Sequence, residues 1–152
     1  MATELHVSFC AVDAADGGEL AELRVAAMRE SLERVGRFDP VRARERFLAG
    51  FAPQHTRHIL CSGSRVGFLV VKQQGEHLLL DHLYIRPGHQ GQGIGATVLA
   101  QVFAEAGASG RSVRVGALKD SDSNRFYARH GFVLVEQAEF DNYYLRPSNN
   151  AL

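Results

Sequence analysis

Leu83-Tyr84-Ile85-Arg86-Pro87-Gly88-His89-Gln90-Gly91-Gln92-Gly93-Ile94-Gly95 runs from an extended apolar segment, through a Pro-Gly stop, into a glycine-rich turn. Directly after it, Val98, Leu99, Val102 and Phe103 recur at helical spacing until Gly107–Gly110. The stretch therefore reads as a strand handing over to an amphipathic helix that begins around Gly93. Such a junction is an anion site. The first amides of a helix lack internal acceptors, and the macrodipole favours negative charge there. Gly91, Gly93 and Gly95 remove the Cβ atoms that would hold a pyrophosphate away, and they permit positive φ. Glycines at this spacing also suit a merely flexible turn; their place between strand and helix, rather than in a hairpin, favours the binding reading.

Upstream, the pattern has the period of strands: His58–Cys61, Arg65–Gln73 and His77–Ile85, separated by Ser62-Gly63-Ser64 and Gly75-Glu76. These predict an antiparallel meander. Earlier still, Glu4–Val12 alternates as a strand, and Asp13–Gly18 supplies turn and capping residues. Leu20, Leu23, Ala27, Met28 and Leu32 then mark a helix ending near Gly36. Pro40 starts a second helix with Phe47, Leu48 and Phe51 on its apolar side. Downstream, Ser112–Leu118 reads as a strand, Ser121–His130 as a short helix, and Phe132–Glu136 with Phe140–Leu145 as a closing pair. Pro147–Leu152 reads as a tail after one domain spanning residues 1–146. This order predicts an α+β layout, a mixed sheet with helices on both faces.

The 152 residues suit one domain, and 17 Lys+Arg balance 17 Asp+Glu. That balance offers no general attraction to nucleic acid or to an anionic membrane. No apolar run approaches the roughly 20 residues that cross a bilayer, and the expectation is a cytoplasmic protein. Cys10 and Cys61 stand alone among apolar neighbours and read as small buried hydrophobes. His55 and His58 fall on opposite faces of what reads as a strand, with no carboxylate or thiol spacing to complete a ligand set, so no metal is expected.

Gly91-Gln-Gly93-Ile-Gly-Ala96 also fits the G-x-G-x-x-G/A dinucleotide fingerprint. Its surroundings do not. Three meander strands precede it, Arg86–Gln90 separates strand from glycines, and Ser112–Leu118 ends without the acid a ribose requires. Asp120, the nearest acid, reads as a helix cap.

Two blocks, in order, resemble the GNAT superfamily of acyl-CoA N-acyltransferases. Gln90-x-x-Gly93-x-Gly95 follows Leu83-Tyr84-Ile85-Arg86-Pro87, and Asn124-Arg-Phe-Tyr127-Ala-Arg-His-Gly131-Phe132 lies downstream. The resemblance covers roughly Arg65–Leu145; before that it rests on element order alone. It implies a mostly antiparallel, twisted sheet of about six to seven strands with about four helices. It also implies transfer of an acetyl group from acetyl-CoA to a primary amine on a small molecule, amino acid, peptide or protein. The CoA pyrophosphate would lie on amides of Gln90, Gly91, Gln92, Gly93, Ile94, Gly95 and Ala96. The segment Leu83, Tyr84 and Ile85 would carry the pantetheine arm, with the backbone of Leu83 and Ile85 pairing to it. Asn124 would touch the CoA arm, and Tyr127 would protonate the departing thiolate. A homodimer through the C-terminal strands is a further implication.

An amine with a pKa of about 10.4 must lose a proton before it attacks a thioester. Asp81 and His82 are the candidate bases, and strand alternation sends them to opposite faces. Arg34, Arg37, Arg42, Arg44 and Arg46 crowd the first two helices; they read as a solvated face, or as one or two partners for an acceptor carboxylate. A non-catalytic acyl-CoA sensor would keep the same cradle without the transfer.

Overall fold

Alternating and continuous apolar runs become strands, and the stretches of helical period become α-helices. The computed structural model describes residues 6–148. In chain order its elements are β1 (Val7–Ala11), α1 (Gly17–Arg34), α2 (Pro40–Ala49), β2 (Thr56–Cys61), β3 (Ser64–Gln74), β4 (His77–Ile85), α3 (Ile94–Ala108), β5 (Ser112–Leu118), α4 (Ser123–Arg129), β6 (Val133–Gln137) and β7 (Asp141–Arg146). Short 3-10 turns occupy Ala14–Asp16 and Pro53–His55. The expected strand from Glu4 thus begins at Val7 among the described residues, with Glu4 itself outside them, as is the tail beyond Ser148.

Among the described residues one seven-stranded sheet has the order β1-β2-β3-β4-β5-β7-β6. The pairs β1–β2, β2–β3, β5–β7 and β6–β7 are antiparallel, whereas β4 and β5 run parallel. A parallel neighbour needs a crossover, and α3 supplies it. The expected α+β class therefore holds.

Local chemistry sets the boundaries. Ser62 and Gly63 both have positive φ, 51° and 83°, as the tight β2–β3 hairpin demands. Asp39 caps α2 by accepting from the Arg42 amide at 3.1 Å, with Pro40 at the first helical position. α1 stops where Gly36 turns left-handed at φ 72°. α4 starts at Ser123 after Asp122, slightly later than the sequence pattern predicts, because Asp120 takes φ 66° in the preceding turn.

The chain forms two compact units, the first ending at Val70 and resuming over His82–Thr97, the second comprising Val71–Asp81 and the chain from Val98 onward. In the first, Val12, Leu20, Ala21, Leu23, Phe47, Phe68 and Val70 make a buried cluster, and Ala27, Phe51 and Tyr84 pack against it. Phe47 meets Phe68 edge-on at 5.4 Å. Gly67 fixes the β3–β4 spacing there: a Cβ on it would lie 2.2 Å from the Tyr84 carbonyl oxygen. In the second unit, Val113, Val115, Ala117, Leu118, Tyr127, Phe132 and Tyr144 are buried.

Candidate active site

The turn that follows β4 is built to leave main-chain donors pointing outward. Arg86 closes β4 by donating its amide to the Val66 carbonyl at 2.8 Å, and His89 donates back to Arg86 at 3.0 Å. Gly88, Gly91 and Gly93 then take φ of 97°, 75° and 84°, a region that a Cβ makes costly. The helical ladder begins with Thr97, whose amide donates to the Gly93 carbonyl at 3.1 Å. Ile94, Gly95 and Ala96 therefore present the donors that precede the first helical bond.

The polar side chains of the turn do not cap that helix end. Gln90 turns back, donating Nε2 to the Ile85 carbonyl at 2.9 Å, and Gln92 Nε2 lies 3.5 Å from the Gly88 carbonyl. The Thr97 hydroxyl goes to Gly93 at 3.0 Å. No acid occupies the first turn of α3, so the helix's own first turn adds no counter-charge to its positive end. Gly91, Gln92 and Gly93 are exposed, while Ile94 is buried and anchors the helix start. Leu83 and Ile85 lie beyond the β4–β5 register, which runs from His77↔Ser112 to Leu80↔Val115.

Strand alternation separates the two candidate bases as the sequence requires. Asp81 is ion-paired with Lys72 at 3.2 Å. His82 lies instead in an aromatic setting, its ring edge-on to Phe47 at 5.5 Å and tilted to Tyr84 at 5.5 Å. Its Nδ1 is 3.2 Å from the Tyr84 hydroxyl, which donates to Met28 Sδ at 3.3 Å. The tautomer that satisfies both contacts has Nδ1–H donating to the tyrosine oxygen, which puts the ring's lone pair on Nε2.

In the second unit, Tyr127 is buried on α4 against Phe132 at 5.3 Å and Tyr144 at 6.4 Å. Asn124, which the family resemblance sets against the CoA arm, is bonded on both sides of its amide within the protein. Its Nδ2 donates to the carbonyls of Leu118 and Ser121, each at 2.9 Å. Its Oδ1 accepts from Asn142 Nδ2 at 2.9 Å and from the Tyr144 hydroxyl at 2.7 Å. Two donors and two acceptor sites are the whole capacity of an amide. Asn124 ties α4 to β5 and β7, and places Tyr127 by doing so.

One polar cluster has no signature in the sequence. His58 is buried, and its Nε2 lies 3.0 Å from Asp16 Oδ2. Arg65 Nη1 stands 2.9 Å from Glu19 and 3.7 Å from Asp16. The Asp13 amide, then His58, hold the Asp16 carboxyl below the usual carboxylate range. Asp16, Glu19 and His58 bring their ligand atoms within 4.8 Å of one another, a donor set a divalent cation could use, but the Arg65 guanidinium already bridges the two carboxylates. His55, expected in the same strand as His58, belongs to the preceding 3-10 turn. Among the arginines of the first two helices, Arg34 pairs with Glu30 at 3.5 Å and Arg44 with Glu22.

Three comparisons bear on this geometry. Comparison with curated proteins found no match. Among solved structures, PaiA N-acetyltransferase from Thermoplasma acidophilum, in complex with coenzyme A, superposes with a TM-score of 0.77 at 14% identity, over 93% of this chain and 99% of that one. An acetyltransferase from Thermus thermophilus gives 0.71 at 19% identity, covering 93% and 96%. Apo YjaB from Escherichia coli gives 0.74 at 15%, covering 94% and 99%. At these identities the likeness is one of fold. The family model of the acetyltransferase (GNAT) domain matches residues 54–134, more than half of the chain and the whole span from β2 through the glycine turn to α4. With that match laid over an open, glycine-lined helix start after β4, the chain belongs to the GNAT family of acetyltransferases.

Proposed function

We propose that this protein transfers the acetyl group of acetyl-CoA to an amine by direct attack, with both substrates bound together. The observation that carries the reading is the start of α3, where Gly91 and Gly93 hold positive φ, Gln90 and Gln92 bond back to loop carbonyls, and the first helical turn contains no acid. A diphosphate fits such a donor set because the main chain and the helix dipole act on it together. The amides from Gln90 to Ala96 would take the CoA pyrophosphate, and the segment Leu83–Ile85 would guide its arm.

His82 is the better placed base. Its ring lies against Phe47 and Tyr84, a setting in which an imidazole is suited to take a proton from the incoming ammonium. Asp81 is already matched to Lys72. The amine nitrogen then bonds to the thioester carbonyl carbon, and the C–S bond breaks. The thiolate leaves with the proton that the attacking nitrogen sheds as the tetrahedral intermediate collapses, so CoA departs as the thiol.

Two measurements test this. Acetyl-CoA and CoA should raise the melting temperature while NAD does not, because only a ligand of the native state stabilises it. Thiol release across a panel of amines should then reveal turnover, and His82→Gln should lower kcat on the order of 100-fold. Stabilisation by NAD and not by CoA would overturn the cofactor assignment. Binding of CoA with no thiol release for any amine would leave a sensor rather than an enzyme.

A further inference from the structure

Arg24 lies on α1 and is half-buried, yet its charge is poorly met. Its Nε is shielded from solvent and, among the described residues, has no hydrogen-bond partner. Nη1 donates to the Ala43 carbonyl at 3.3 Å, and the guanidinium carbon lies 6.0 Å from the centre of the Tyr84 ring, the outer limit of a cation–π contact. The acids of its own helix are engaged elsewhere: Glu19 with Arg65 and Arg86, Glu22 with Arg44, Glu30 with Arg34, Glu33 with Arg29. Among the described residues no carboxylate pairs with Arg24.

An arginine held this way is costly to folding. A buried donor without an acceptor forfeits its bond to water, and a poorly compensated charge adds to the loss. The fork of a guanidinium matches a carboxylate side-on, with two parallel N–H···O bonds. Tyr84 links this group to the proposed base, since its ring faces Arg24 while its hydroxyl meets His82 at 3.2 Å.

We infer that Arg24 is the carboxylate anchor of the acceptor site, so that the amine acetylated belongs to a molecule of the amino acid class. The carboxylate takes the Nε–Nη2 edge after a small turn of the side chain, and the amine is directed toward His82. Phe47 and Phe68, buried in the core, pack against the His82 ring and fix its place. This assignment rests on the acetyltransfer reading and names its acceptor. It also moves the carboxylate partner from the group Arg34, Arg37, Arg42, Arg44 and Arg46 to a position that the sequence pattern does not single out.

The experiment uses matched acceptors, each amino acid against its own carboxamide, with thiol release from acetyl-CoA as the readout. The full chain should prefer at least one amino acid over its carboxamide on the order of tenfold or more in kcat/KM. Arg24→Gln and Arg24→Met should erase that preference through the acceptor KM, Arg24→Lys should keep part of it, and the acetyl-CoA KM should move less than about threefold. Equal use of acid and amide by the unmodified chain, or a preference that survives Arg24→Gln, overturns the anchor.

A second readout needs no turnover. With CoA present, the preferred amino acid should raise the melting temperature of the unmodified chain and not that of Arg24→Gln. Should CoA stabilise the protein while no amine yields thiol, transfer has failed, and this shift, read across the amino acids, still decides the anchor. Without ligand, Arg24→Met should melt at or above the unmodified chain. A fall of several degrees would assign Arg24 to structure and remove the proposal.

Discussion

The glycine turn before α3 and the Asn124 knot beside α4 are both dense in hydrogen-bonding groups, and they differ in how many are already matched. Around Asn124 every donor and acceptor of the amide has a protein partner. At the turn, the side chains of Gln90 and Gln92 fold back onto loop carbonyls and leave the helix start facing outward. Matched polar groups hold a shape, and unmatched ones at the surface await a ligand. Both regions lie within the residues that the GNAT domain model matches, so that match alone does not say which of them holds a ligand.

The largest effect is expected at Gly93. A β-branched side chain at φ 84° is strained and stands among the amides, so Gly93→Val should raise the Kd for acetyl-CoA on the order of 30-fold or more while lowering the melting temperature by only a few degrees. Titration calorimetry beside a thermal melt checks this; unchanged CoA affinity would remove the turn from the binding site. Asn124→Ala should do the reverse. Losing the partners of Leu118 and Tyr144 costs about 2–3 kcal/mol, or about 5–10 °C, with the Kd for acetyl-CoA within about threefold of the original. A stable variant with weakened CoA binding would instead place Asn124 against the CoA arm.

The pair of Asp16 and His58 gives the smallest effect and sharpens the same contrast. The folded Asp16 carboxyl titrates below its ordinary value of 3.8, so its contribution is present above that value and is lost as the pH falls through the folded one. Asp16→Asn should melt below the unmodified chain at about pH 5–7, with the gap closing toward about pH 2. A gap that stays constant with pH would show that the carboxylate's charge is not what matters.

Much of this is legible along the chain because it is local. A strand stop at Pro87, glycines where φ must be positive, and apolar residues at helical spacing after Gly93 all act within a few residues. Alternation alone separates Asp81 from His82. Choosing between them requires Lys72 from β3 and the aromatic rings from α2 and β3, which no spacing in β4 reveals. Asn124 finds its partners 18 and 20 residues later, at Asn142 and Tyr144, and His58 meets an aspartate 42 residues earlier. The unmatched Nε of Arg24 is likewise a product of packing, since in sequence Arg24 is one more arginine on an amphipathic helix.

Gly67 has a consequence for how this protein can change over generations. With room for no more than a hydrogen where the backbone of β3 meets the Tyr84 carbonyl, the spacing between the two strands is inherited as a fixed gauge. A lineage can therefore vary the side chains that β3 and β4 carry, while the separation of the two backbones at this point stays where the missing Cβ put it.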